Sequence, residues 1–127
     1  NIQMNNHEEV KQIKKLIKTY AAGTYEADTD KLKSVFHEKA VMNGYLGEDI
    51  LLGDPKPFIE DIGQNPSMKS QGAKYNAEIE YMNVEENIAT VIVSETAFRG
   101  DGAMVNHFHL IKTDGSWKII SKLFTTL

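Results

Sequence analysis

The spacing of apolar residues predicts an α+β domain, with helices first and an antiparallel meander after them on one sheet. Three features carry this. From Asn6 to about Glu26, Val10, Ile13, Ile17, Tyr20, Ala21 and Thr24 recur on one helical stripe, while Lys11, Lys14, Lys15 and Lys18 fall away from it. From Tyr75 onward the period becomes two. The chain ends on AMVNHFHLIK, TDGS and WKIISKLFTTL, where Asp114-Gly115 between β-rich runs is the strongest short-range hairpin signal.

Taken in order, Asn6 with Glu9 three residues on can form a capping box for the first helix. Gly23 weakens the end of that helix, and Asp28 or Thr29 caps a second one through Leu32, Val35 and Phe36. Ala40 to Tyr45 and Ile50 to Leu52 read as a short edge hairpin about a turn at Gly47 to Asp49. Asp54-Pro55 opens a third helix carrying Phe58, Ile59 and Ile62. Gly63 to Gly72 is polar, contains Pro66, and is a loop.

Side-chain alternation assigns the meander's faces. A three-residue turn with Asn87 left-handed pairs Tyr81 with Val91, Ile79 with Val93 and Ala77 with Glu95. A four-residue connection, Arg99 to Gly102, then sets Val91 against Leu110, Val93 against Phe108 and Glu95 against Asn106. An even-numbered last loop sets Lys112 opposite Trp117, Leu110 opposite Ile119, Phe108 opposite Ser121 and Asn106 opposite Leu123. The core face therefore runs from Tyr75, Ala77, Ile79 and Tyr81 through Ala89, Val91, Val93, Ala97, Met104, Phe108, Leu110, Trp117 and Ile119 to Leu123, with Glu95 and Asn106 as polar exceptions. The outer face carries Val105, His107, His109, Ile111, Ile120, Lys122 and Phe124, with Met82, Val84, Ile88 and Ile92 from the preceding strands. So apolar an outer face predicts a homodimer across it, the available cover being a second copy.

At 127 residues, 41% hydrophobic and 25% charged, one domain spanning 1–127 is expected. A net charge of -4 with dispersed lysines gives no basic stripe for nucleic acid. The absence of cysteine excludes disulfides, thiolate zinc sites and a cysteine nucleophile. No apolar run approaches the roughly 20 residues of a membrane span. The expectation is no membrane partner and a cytoplasmic protein. Because the first residue is Asn, an exported form with a removed leader stays open.

Tyr20, the Phe36-His37 and Ala40 cluster, and the closing Asp114-Gly115 with Trp117-Lys118-Ile119 resemble the nuclear transport factor 2-like superfamily. Within it, YAAGTYEADTDKLKSVFHEKA and LIKTDGSWKIISKLF are most similar to the putative lumazine-binding branch of small bacterial proteins. The resemblance implies a curved antiparallel sheet of long strands and an edge hairpin wrapped over three helices, forming a cone with an internal pocket, and often a homodimer. It identifies a chemistry poorly, since the superfamily holds isomerases, dehydratases, cyclases and non-catalytic domains. Ketosteroid isomerases in the same superfamily use a helix-one tyrosine, a first-strand aspartate as proton shuttle and an Asp-His-Phe run. Here Tyr20 matches the tyrosine and Asn106-His107-Phe108 matches that run with amide for acid, but Gly44 stands at the shuttle position, so steroid isomerisation is not expected.

The expected pocket is lined by Tyr20, Phe36, Met42, Tyr81, Val93, Glu95, Met104, Asn106, Phe108 and Ser121. Glu95 is the candidate catalytic residue, since a carboxyl in an apolar cavity can act as acid or base near neutral pH; the plainer reading is a slipped register or a glutamate at an open mouth. His107 and His109 share a face as two metal nitrogens would, but no third ligand is fixed, so no metal is expected. No cofactor is called for. Glu8, Glu9 and the helix-one lysines read as a solvated face. The leading function is a non-catalytic, homodimeric small-molecule-binding domain oriented by Tyr20, Asn106 and Glu95. The alternatives are a proton-transfer enzyme using those groups and a pure association module.

Overall fold

The computed structural model describes residues 6–127. The fold has three helices, α1 (Asn6–Glu26), α2 (Thr29–Val35) and α3 (Lys56–Gln64), and six strands, two of them between α2 and α3 and four after α3. These are β1 (Phe36–Leu46), β2 (Asp49–Gly53), β3 (Asn76–Glu85), β4 (Ile88–Phe98), β5 (Gly102–Thr113) and β6 (Ser116–Thr126). They form one curved, unclosed sheet in the order β2-β1-β6-β5-β4-β3. Every neighbouring pair is antiparallel except β1 with β6, which run parallel, so the sheet is mixed where the sequence reading had it antiparallel. The α+β class, the three helices and the fold's one-sided helical layer are as expected. No described helix is long and apolar enough to cross a membrane.

The helical layer follows its sequence signals. In α1, Ile13, Ile17, Tyr20 and Thr24 are buried against the sheet, as the stripe requires. Asp28 caps α2 by accepting a hydrogen bond from the Lys31 amide at 3.1 Å. At α3 the cap position is Pro55, and Asp54 Oδ1 accepts from the Lys56 amide at 2.7 Å. The core joins Ile13, Ile17, Tyr20, Leu32 and Val35 to Val91, Val93, Phe108, Leu110, Trp117 and Ile119.

The last hairpin closes on a two-residue loop in which both Asp114 (φ 51°) and Gly115 (φ 79°) are left-handed, the conformation that makes Asp-Gly a hairpin signal. Lys112 pairs with Trp117 and Leu110 with Ile119, as expected. Beyond them Ile120 is an extra residue, and the ladder resumes with His109 on Ser121, Phe108 on Lys122, His107 on Leu123 and Asn106 on Phe124. One inserted residue reverses every side chain after it. Leu123, expected in the core, is 54% exposed, while Lys122 (2%) and Phe124 (6%), expected outside, are buried.

A second bulge corrects β3. The β3–β4 turn has two residues with Glu86 left-handed (φ 52°), not three with Asn87 left-handed. The expected pairs Ile79–Val93 and Ala77–Glu95 still form because Glu80 is an extra residue between them and the turn. On the turn side of that bulge, Met82 and Val84 pack on the core and Tyr81 is half exposed, the reverse of the expected assignment. The β4–β5 connection is three residues, Arg99 to Asp101, with a further irregularity around Ala97 (φ 55°). Val91 pairs with Phe108, Val93 with Asn106 and Glu95 with Met104, two residues from the expected partners. A shift of two preserves facing, so Glu95 and Asn106 are inside as expected.

Candidate functional site

The irregular β6 delivers a lysine into the cone. Lys122 is buried among three aromatic rings, its Nζ 3.9 Å from the centre of Phe58, 5.0 Å from Tyr20 and 5.7 Å from Phe124. Phe58 comes from α3, Tyr20 from α1 and Phe124 from β6 itself. Nζ donates to the Tyr20 hydroxyl at 2.8 Å.

That hydroxyl in turn donates to Glu95 Oε1 at 3.1 Å. Glu95, 1% exposed, is surrounded by donors. Asn106 Nδ2 also reaches Oε1, and the Tyr75 hydroxyl donates to Oε2. Tyr75 is held by stacking on Tyr25 and by the edge of Phe98. Asn106 Nδ2 also reaches the Val93 carbonyl at 3.3 Å, and its buried Oδ1 has no partner among the described residues. A cation and a carboxylate thus share one phenol, and the buried charges balance within a single chain of hydrogen bonds.

The environment moves these groups in opposite directions. Burial drives the Lys122 ammonium down to about 8, opposed by the attraction of Glu95. Burial, reinforced by the negative charge of Glu95, pushes the Tyr20 and Tyr75 phenols upward, so both stay protonated donors.

This network forms part of the wall of a cavity of about 440 Å³. Met42, Leu46, Leu51, Leu52, Pro57, Phe58, Phe98, Met104 and Phe124 give it apolar sides. Tyr20, Glu95 and Lys122 are the buried polar groups that line it. Arg99 and Asp61, also on the lining, form a half-exposed ion pair at 2.8 Å.

Of the expected pocket residues, Tyr20, Met42, Glu95 and Met104 line the cavity. Asn106 stands behind Glu95, while Phe36, Val93 and Phe108 are buried packing. Two assignments are corrected. Tyr81 is turned outward by the Glu80 bulge, and Ser121 is turned to the side opposite Lys122 by the Ile120 bulge. Phe124, assigned to the dimer face, is a cavity wall instead. His107 and His109 are exposed on the outer face, and no group of three His, Cys, Asp or Glu among the described residues is placed to hold a metal.

Lys122 and Tyr75 were missed as site residues. The one signal for Lys122 was that an outer position would have set it opposite His107, a cross-strand pairing of basic groups. Glu9, read as solvated, accepts from Trp117 Nε1 and Lys112 Nζ, each at 2.8 Å, and ties the first turn of α1 to the last hairpin. Gly44 is closed to the shuttle role by space as well as identity: a Cβ there would lie 2.0 Å from the Phe124 carbonyl oxygen.

The family model described as putative lumazine-binding matches residues 8–125. The chain belongs to this family. Solved structures of nuclear transport factor 2-like proteins share its fold. A nuclear transport factor 2-like protein of unknown function from Silicibacter pomeroyi is similar at a TM-score of 0.86 and 20% identity, over 98% of this chain and 100% of that one. A ketosteroid isomerase-like protein from Erwinia carotovora atroseptica gives 0.67 and 18%, over 94% and 97%. A putative dehydratase from the nuclear transport factor 2-like family of Streptomyces avermitilis gives 0.67 and 14%, over 96% and 98%. At such identities the likeness shows the fold alone. Among curated proteins, none matches the sequence.

Proposed function

We propose that this chain binds a small, largely apolar molecule in the cavity without catalysing its turnover, and works as a homodimer joined through the outer sheet face. The observation that carries the binding reading is the cavity of about 440 Å³, with apolar walls and a few convergent polar groups, the usual composition of a ligand site. The family description supports it.

Proton-transfer chemistry fits less well. A general base needs a lone pair facing the substrate, yet three side-chain donors already converge on Glu95. Tyr20 and Asn106, the would-be oxyanion donors, are turned to that same carboxylate. Gly44 offers no shuttle. A thermal-shift screen of aromatic heterocycles, followed by recovery of each binder, tests the reading. Binders recovered unchanged support it; absence of any binder, or conversion of one, overturns it.

The dimer reading rests on apolar side chains left outside the sheet. Val41, Tyr45, Tyr81, Ile88 and Leu123 are exposed there, beside the half-buried Val105, Ile111 and Ile120. An isologous contact would cover them with the same surface of a second copy. Sedimentation equilibrium should give a dimer for the wild type and a monomer for Leu123→Glu. A monomeric wild type at micromolar concentration contradicts the contact.

A further inference from the structure

We propose that Lys122 is a covalent attachment point, and that the cavity takes a neutral, apolar aldehyde or ketone, held as an iminium on Nζ. This rests on the cavity-binding reading and names the ligand's chemistry.

Charge balance selects a neutral ligand. Lys122 and Glu95 compensate each other through Tyr20, so a bound carboxylate or phosphate would leave an uncompensated anion in an apolar space. A neutral carbonyl adds no charge, and its apolar body suits walls such as Met42, Leu52 and Met104.

The amine itself suits addition. Among the described residues its one hydrogen-bond partner is the Tyr20 hydroxyl, and the Phe58 ring lies beside it. Desolvated lysine is the residue type that forms Schiff bases with carbonyl compounds. Burial that brings Nζ down to about 8 raises its free-amine fraction at neutral pH on the order of a hundredfold over an exposed lysine.

The step balances without any further reagent. The free amine's lone pair attacks the carbonyl carbon, forming the C–N bond as the C=O π pair moves to oxygen, which is protonated to give a carbinolamine. The C–O bond then breaks, water leaves, and the nitrogen lone pair completes C=N. Overall, ammonium plus carbonyl compound gives iminium plus water, with charge conserved. The product cation stays beside the rings of Phe58, Tyr20 and Phe124 that already surround the ammonium, and Glu95 remains its counter-charge.

The test uses 2-naphthaldehyde with cyanoborohydride, which reduces an iminium to a stable secondary amine, and 2-naphthylmethanol as a matched probe that cannot form one. Peptide mapping after brief reaction at neutral pH should find the naphthylmethyl group chiefly on Lys122, on the order of a hundredfold above exposed lysines such as Lys11 and Lys14. Lys122→Arg, which keeps a cation among the rings, should lose that label. Labelling of Lys122 no faster than of the exposed lysines overturns the proposal. If the alcohol still raises the melting temperature in that case, the cavity reading stands and only the covalent chemistry falls; if it does not, both fall. Wild-type mapping decides the matter even if the arginine variant does not fold.

Discussion

Tyr20 and Glu95 lie 75 positions apart and meet at 3.1 Å, phenol to carboxylate. The same phenol oxygen accepts from Lys122 at 2.8 Å. One hydroxyl therefore links α1, β4 and β6 and lets two opposite charges sit inside a small apolar core. Without it the cation and the carboxylate would each lose a hydrogen-bonding partner.

Tyr20→Phe keeps the ring and removes that link. The protein should remain folded but lose about 1.5–3 kcal/mol, the range for hydrogen bonds to charged groups. Asn106→Leu, which strips a second donor from Glu95, should cost a similar amount, and both should shift ligand preference toward less polar molecules. Urea midpoints together with the thermal-shift ranking check this; midpoints equal to wild type contradict it.

Stability should rise with pH between about 8 and about 10. The Lys122 value in the fold, about 8, lies below its ordinary 10.5, so in that window the unfolded chain binds the extra proton and rising pH favours the fold. Above about 10 the sign reverses. Tyr20 and Tyr75 are raised in the fold, so the unfolded chain loses those protons first and stability falls. Denaturation midpoints across this range should pass through a maximum, and Lys122→Met should abolish the rising limb. A flat profile from pH 7 to 10 contradicts the burial of Lys122.

Hydrogen bonds from Lys112 and Trp117 hold the Glu9 carboxyl below its usual range. A lowered carboxylate contributes stability present above about 4.5 and lost as pH falls through its folded value. Glu9→Gln should therefore weaken the acid limb of unfolding and shift Trp117 fluorescence, since the indole N–H loses a charged acceptor. An unchanged emission maximum and acid midpoint would contradict the contact.

Gly44→Ala should destabilise by about 1–3 kcal/mol or more, as overpacking does. The added Cβ meets backbone, the Phe124 carbonyl at 2.0 Å, which cannot turn aside as a side chain can. Chemical denaturation checks it, and wild-type stability would show that β1 can slide along β6.

The helices and the inward placement of Glu95 and Asn106 were legible because they rest on features a sequence displays. α1 shows its stripe from Val10 to Thr24, and Glu95 survives a two-residue error in pairing because facing depends on parity alone. Lys122 and Phe124 were not legible, because Ile120 bears no mark of a bulge, and Leu123 is as apolar as the Phe124 that takes the inner position. The same holds at Glu80, whose bulge exchanges Tyr81 for Met82. The parallel contact of β1 with β6 joins distant segments through backbone groups, and neither strand's pattern names the other. Much of the cavity's chemistry thus hangs on one irregular residue in the last strand.

Lysine side-chain NMR reads that residue's consequence directly. With lysine labelled at Cε, one resonance should titrate near 8, vanish in Lys122→Arg, and move when 2-naphthylmethanol is added. If no lysine resonance titrates near 8 and none responds to the probe, Lys122 is not buried in a ligand-accepting cavity and the account of the site is wrong.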